Sequence, residues 1–198
     1  MIEPDEVARL AGIRSIEALA RAFTDAYPDA GDDFWWTWLL RRGLAAAARQ
    51  RGIGAVAVGA NREDLLSEGL LRLARGMTPL PAPYRPIGDV TFVYPMWTVP
   101  KKIGDGAFVS MSLDNYQRRT PSPARGRSAF YHLAYVLADH LPGMDMTLLR
   151  GFAGLAATAA RQQPPIGLDP EIDDHAVLGA YSPAERDRWA AVLASVRA

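Results

Sequence analysis

The chain has 198 residues, a hydrophobic fraction of 49%, no cysteine and a formal net charge of zero. This length and composition predict a single globular domain over residues 1–198, with a core large enough to need neither disulfides nor metal. The balanced charge argues against a general binder of nucleic acids or anionic membranes, because such binding rests on a positive electrostatic field.

The lack of cysteine excludes a disulfide framework, a thiolate metal site and a cysteine nucleophile. It indicates a reducing compartment, although it is also compatible with export. The first six residues, MIEPDE, lack the basic stretch and apolar run of a signal peptide, and no run approaches the roughly 20 apolar residues of a membrane-spanning helix. We therefore expect a cytoplasmic protein with no membrane association. A composition rich in Ala and Arg, with lysine only at Lys101 and Lys102, is typical of a GC-rich bacterial genome.

The N-terminal quarter is predicted to be helical. Apolar residues recur at helical spacing over Pro4–Ala11 and Ser15–Tyr27, and Gly12 separates the two helices. Asp32 or Asp33 then caps a third helix that runs to about Gln50. Acids at its start and arginines toward its end suit the helix dipole.

Short strands are expected in the middle of the chain. Gly52–Gly59 is an apolar run bounded by glycines, which suits a buried strand, and Asn61 caps a leucine-rich helix that stops at Gly76. The Pro-rich residues Met77–Pro86 predict an extended connector.

A hairpin is the main β element that the sequence predicts. Asp89–Val99 is rich in β-branched and aromatic residues, and Ala107–Leu113 alternates apolar with polar side chains. Residues Lys101–Gly106 have the composition of the turn between them. The predicted fold class is therefore α+β, predominantly helical, with a small central antiparallel sheet or hairpin.

The C-terminal part is predicted to consist of helices joined by irregular segments. A polar, basic loop over Asp114–Arg127 precedes helices at Ser128–Leu141 and Asp145–Gln162. Pro164–Asp174 is irregular, and a capping box that begins at Ser182 starts the last helix.

The third helix opens with a cluster of tryptophans. Trp35 and Trp38 share one helical face, whereas Trp36 points elsewhere. A helix that is apolar nearly all round is normally buried, which favours a role in the core. Alternatively, Trp35 and Trp38 are candidate binding residues, because tryptophan is a preferred anchor at protein interfaces.

Basic residues are concentrated between positions 101 and 127. Six of them lie there against Asp105 and Asp114, whereas the first 33 residues hold eight acids and three arginines. This asymmetry suits an acidic partner, a phosphate group or nucleic acid, with Arg118 and Arg119 as candidate binding residues. The alternative is a solvated surface loop.

Candidate acid/base groups lie on one predicted helix. His132 and His140 are about 80° apart around its axis and roughly 12 Å apart along it, which is too far for joint ligation of one metal ion. Asp139 stands beside His140, so Asp139, His140 and His132 are candidate catalytic residues. Their alternative role is that of surface or capping residues. With Asp145 nearby, Asp139 and His140 could form an acid/base or metal corner. A second acidic cluster, which ends at His175, could do the same, and its acids are Asp169, Glu171, Asp173 and Asp174.

No motif of a metal site, a phosphate-binding loop or a nucleophile elbow is present, so we expect neither cofactor nor metal. Residues 7–13, VARLAGI, resemble the first helix and turn of LacI- or MerR-type helix-turn-helix repressors. With a basic hairpin downstream, the resemblance implies a winged-helix DNA reader. The polar recognition helix of that family is replaced here by Ile16, Glu17, Ala18 and Leu19, which suit the major groove poorly.

Two functional hypotheses follow, and DNA binding ranks below both. The first is a protein-binding adaptor or inhibitor-type accessory protein. It predicts an exposed apolar patch near Trp35–Trp38 or along the edge of the Asp89–Val99 strand. The second is a small enzyme with an Asp/His/Arg site beside the central hairpin, which predicts a concave pocket where those groups converge.

Overall fold

In the computed structural model, the described residues are 3–28, 33–74, 76, 78–107, 127–162 and 183–198. Within these ranges, eight helices and three short strands confirm a predominantly helical α+β fold. The helices are α1 (Pro4–Ala11), α2 (Ile16–Ala26), α3 (Asp33–Gln50), α4 (Arg62–Ala74), α5 (Lys101–Ala107), α6 (Arg127–His140), α7 (Met144–Gln162) and α8 (Pro183–Val196). The strands are β1 (Ala55–Ala57), β2 (Tyr84–Ile87) and β3 (Val90–Val93).

Local sequence signals set the helix ends where they were predicted. Helix α1 stops at Gly12, which adopts a φ of 74° that favours glycine. The Ser15 side chain accepts a hydrogen bond from the backbone N–H of Ala18 and so caps α2. At α4, the side chains of Asn61 and Asp64 each accept a hydrogen bond from the other's backbone N–H. This reciprocal arrangement confirms Asn61 as the cap.

The chain divides into two compact units. The first unit comprises Met1–Val56, Pro86–Phe92 and Pro165–Ala198, and the second comprises Ala57–Arg85 and Val93–Pro164.

Aromatic rings form the core of the first unit. There α1 packs on α3, and α2 packs on α8. The Trp189 ring of α8 meets the rings of Phe23 and Trp38 nearly at right angles, with centroids 6.0 and 5.6 Å apart. Edge-to-face pairs of this kind add to the free energy gained by burying the rings.

Helix α4 is the centre of the second unit, where α6 and α7 pack against it. Its Leu66 forms a buried cluster with Ala134 of α6 and Phe152 of α7. Gly69 makes the approach of α7 possible, because a Cβ at this position would lie 2.3 Å from a ring carbon of Phe152. Glycine is therefore required here for packing rather than for its backbone freedom.

The three strands form a mixed sheet in the order β1-β3-β2. A two-residue turn joins β2 to β3, and its first residue, Gly88, has a φ of 62°, as tight hairpin turns require. Strand β1 runs parallel to β3. The N–H of Thr91 donates to the carbonyl of Gly54, and the N–H of Val58 donates to the carbonyl of Val93.

Three predictions about the strands are corrected by the structure. Lys101–Ala107 is the helix α5 and not a hairpin turn, because the Glu63 carboxylate accepts a hydrogen bond from the Lys101 N–H and caps its start. The observed hairpin lies earlier and draws its strand β2 from the Pro-rich connector. The run Gly52–Gly59 contains β1, which is exposed rather than buried. Residues 108–113 of the predicted second strand lie outside the described residues.

Candidate functional site: the outer face of helix α6

One face of α6 collects the predicted acid/base groups. Ala134 turns toward α4 and is fully buried, so the opposite side of the helix faces solvent. The exposed positions follow the helical repeat and cover an arc of about 120° around the helix axis. We call this surface the α6 outer face, and its members are His132, Leu133, Val136, Asp139 and His140.

The centre of the α6 outer face is apolar. Leu133 and Val136 are 41% and 38% exposed, and Leu141, just beyond the end of the helix, is 51% exposed. The two histidines and Asp139 share this face with the apolar pair. An apolar centre with a polar rim is the usual anatomy of a protein-binding surface.

Charge near the α6 outer face is supplied by α5. The Lys102 ammonium lies 3.9 Å from a carboxylate oxygen of Asp139, and both side chains are more than 60% exposed. An ion pair this long and this exposed contributes little to stability, so both groups stay available for other contacts.

The arrangement suits binding better than catalysis. His132, Asp139 and His140 share one face, as the enzyme hypothesis needs, but all three are exposed to solvent. Acid/base catalysis generally uses an enclosed site from which water is excluded. Catalysis by these residues stays a prediction.

The two tryptophans predicted as binding residues occupy the core instead. Trp35 and Trp38 are 9% and 3% exposed, and the Arg42 guanidinium lies 5.9 Å from the centroid of the Trp38 ring. Their burial agrees with the alternative role in the core, and binding by these two residues stays a prediction. Of the same cluster, Trp36 is exposed, next to the exposed Leu40 one turn later.

Of the other predicted positions, one segment lies in the sheet and the rest lie outside the described residues. The Asp89–Val99 segment presents no strand edge, because β3 lies between β1 and β2. Arg118, Arg119 and the acidic cluster that ends at His175 lie outside the described residues.

A buried polar cluster around α4 was not predicted from the sequence. The Arg85 guanidinium donates two hydrogen bonds to the Glu68 carboxylate, at 3.2 and 2.8 Å, and lies 5.0 Å from the centroid of the Tyr94 ring. Nearby, Arg62 pairs with the buried Asp145 at 2.8 Å. Alternating charges on a helix usually indicate a solvated face, so no signal in the sequence marked these charges as buried.

The buried cluster borders a crevice rather than a ligand pocket. The crevice lies between α4, α7 and the chain before β2, and Glu68, Gly69, Arg85 and Phe152 are among its lining residues. It encloses about 250 Å³ with its open mouth included, less than the usual volume of a small-molecule site. We therefore interpret the Glu68–Arg85 pair as structural.

The N-terminal helices use the segment that resembles a repressor for packing. Ala8, Leu10, Ala11 and Ile13 of that segment are buried, and α1 packs on α3. DNA binding stays a prediction, and the lower rank it received from the sequence is unchanged.

Two further findings bear on function. Among the described residues, no group of three or more His, Asp or Glu side chains could hold a metal ion, and no helix is long and apolar enough to cross a membrane. Comparison with known protein families, curated proteins and solved structures finds no match to this chain.

Proposed function

We propose that this protein is an adaptor or inhibitor-type accessory protein that binds an acidic partner protein through the α6 outer face. The observation that carries the proposal is the joint exposure of Leu133 and Val136, one turn apart on a helix whose other side packs on α4 and buries Ala134. The absence of cysteine suits a protein that works in the reducing cytoplasm.

The apolar centre supplies the affinity in this proposal. Helix residues three and four positions apart stand side by side, so Leu133 and Val136 form one continuous ridge. Such a ridge fits the groove of a partner helix or sheet, and burying it there gains roughly 25 cal/mol for each Å² of apolar surface.

The basic residues in this part of the sequence favour an acidic partner. Lys102 lies next to the face, where it pairs with Asp139. In the sequence between positions 101 and 127, six basic residues stand against two acidic ones. Basic residues steer an acidic partner and make its association sensitive to salt.

The test is a set of affinity baits used on host extract at matched concentrations. The interface variant is Leu133→Glu with Val136→Glu, which places charge in the apolar centre. The matched control is Leu155→Glu on α7, where an equally exposed leucine lies outside the face. A third bait, Trp36→Glu, tests the other exposed apolar site, and far-UV circular dichroism verifies that each variant is folded.

We expect one acidic protein to bind the wild type and the Leu155→Glu control, with affinity that falls as salt rises. The interface variant should lose at least about 30-fold in affinity, the equivalent of one interface hot spot. A partner that is retained by the interface variant and lost by Trp36→Glu would overturn the assignment to α6. Capture of no partner by the wild type would overturn the proposal itself.

A further inference from the structure

Among the described residues, strand β1 is an open edge of the sheet. It stands at the end of the strand order, and Ile53, Ala55 and Ala57 are exposed. No charged residue and no proline occurs between Gly52 and Asn61. Proteins normally protect such an edge with lysine, proline, a bulge or a covering segment, because an open edge pairs with other strands.

The bonding direction along β1 shows which backbone groups lie at the open edge. The carbonyl of Gly54 and the N–H of Val58 point toward β3, where they bond to Thr91 and Val93. Backbone groups alternate in direction along a strand, so the N–H and C=O of Ala55 and Ala57 point away from β3. The edge therefore offers two donors and two acceptors.

The opposite edge of the sheet is blocked. The Tyr94 N–H donates to the Pro83 carbonyl, and the Gly88-Asp89 turn fixes the same pairing between β2 and β3. Because backbone groups alternate in direction along a strand, Pro86 then points away from β3. Proline has no N–H, so β2 cannot complete a ladder with another strand. Within the described residues, the sheet can be extended only beside β1.

We propose that β1 pairs with β1 of a second copy of this chain and forms a symmetric dimer with a continuous six-stranded sheet. A two-fold axis makes the two strands antiparallel. With the axis at Val56, Ala55 of each copy lies opposite Ala57 of the other. Each of these two pairs exchanges two hydrogen bonds, which gives four in total.

The chemistry of the edge favours a second copy over an unrelated strand. A strand without charge meets its own copy without repulsion, and alanine side chains let two backbones approach. Because the β2 edge is blocked, the pairing closes after two copies instead of continuing into a fibre. The dimer does not depend on the α6 outer face.

Engineered cysteine tests the geometry directly, because the natural chain contains none. In the proposed pairing, Val56 faces its own copy at a non-hydrogen-bonded site. There the Cα atoms of opposite residues are roughly 4.5 Å apart, within disulfide range. We expect purified Val56→Cys to form a covalent dimer on mild oxidation, while the Leu155→Cys control, on an exposed part of α7, stays monomeric.

The oligomeric state of the unmodified chain provides the second measurement. Sedimentation equilibrium should give twice the monomer mass of 21.6 kDa for the wild type at micromolar concentration. Ala57→Pro removes one outward N–H and no bond to β3, so it should be folded and monomeric. A wild type that is monomeric up to several hundred micromolar would overturn the proposal. So would an Ala57→Pro variant that is folded and still dimeric, or equal cross-linking of both cysteine variants.

Discussion

The two units of this chain fill their interiors with different chemistry. The first unit packs aromatic rings, with Trp189 between Phe23 and Trp38. The second unit packs leucines on one side of α4 and, on another, buries the charges of Glu68 and Arg85. Ring packing gains free energy with any close neighbour. A buried charge is tolerated only if its own partner is in place.

The contrast implies that the two interiors respond differently to substitution. Loss of a ring leaves a cavity, and the cost follows the lost volume. Loss of one charged partner leaves the other charge buried without a partner. Replacement of both by apolar residues restores much of the stability. Two measurements test this difference, and a third, with the smallest expected effect, provides an exposed ion pair for comparison.

The largest effect is expected at Trp189, which is fully buried between two other rings. Trp189→Ala should lower the free energy of unfolding by about 4–5 kcal/mol, the upper range for deletion of a large core side chain. Urea unfolding followed by circular dichroism measures the change. Trp36→Ala is the control, because Trp36 is 44% exposed, and it should cost less than about 1 kcal/mol. Equal losses in the two variants would contradict the ring-packed core.

An intermediate effect is expected at the buried ion pair. Arg85→Ala should cost about 3 kcal/mol in urea unfolding, because it leaves the Glu68 carboxylate buried without its guanidinium partner. The double variant Glu68→Leu with Arg85→Met should recover most of this loss, since apolar side chains of similar volume replace both charges. If the double variant is the less stable of the two, the pair itself supplies net stability and our account of the second unit fails.

The smallest effect is expected at an exposed ion pair of the first unit. The Arg49 guanidinium donates a 2.6 Å hydrogen bond to Asp89, and this bond is the main reason why the pKa of Asp89 lies below the usual value of about 3.9. A carboxyl whose pKa is lowered by folding adds stability above its unfolded pKa. That contribution disappears as the pH falls through the folded pKa.

The stability difference between wild type and Asp89→Asn should therefore be present at pH 6 and shrink below about pH 4. High salt should reduce it further, because both side chains are exposed. Thermal unfolding at several pH values measures it. A difference that grows as the pH falls would show that Asp89 is not stabilised by Arg49.

Much of the helical framework could be predicted from the sequence, because its signals are local. Gly12, Ser15 and Asn61 act on residues within one turn of themselves, and the structure places helix ends beside all three. The capped end of α5 could not be predicted, because the carboxylate that caps it belongs to Glu63 on α4. The composition of residues 101–106 is typical of a turn, but the contact with Glu63, which is distant in the sequence, favours a helix there.

The candidate site was predictable in its polar members and not in its apolar ones. Helical spacing placed His132, Asp139 and His140 on one helix, and the structure shows them on one face. The exposure of Leu133 and Val136 depends on which side of α6 meets α4. The same limit applies to β1, since apolar composition cannot distinguish a strand in the middle of a sheet from one at its edge.

The packing of α2 against α8 has a consequence for synthesis of the chain. Arg14 donates a hydrogen bond to the Ser195 carbonyl across 181 positions, and the rings of Phe23 and Trp189 meet in the same unit. A ribosome adds roughly 5–20 residues each second. The residues of α2 are therefore synthesised on the order of ten seconds before those of α8. During that interval Leu19 and Phe23 have no native cover from α8. A growing chain at this stage exposes an apolar surface that a chaperone can bind. A transcript truncated before α8 yields a product whose N-terminal part keeps that apolar surface exposed.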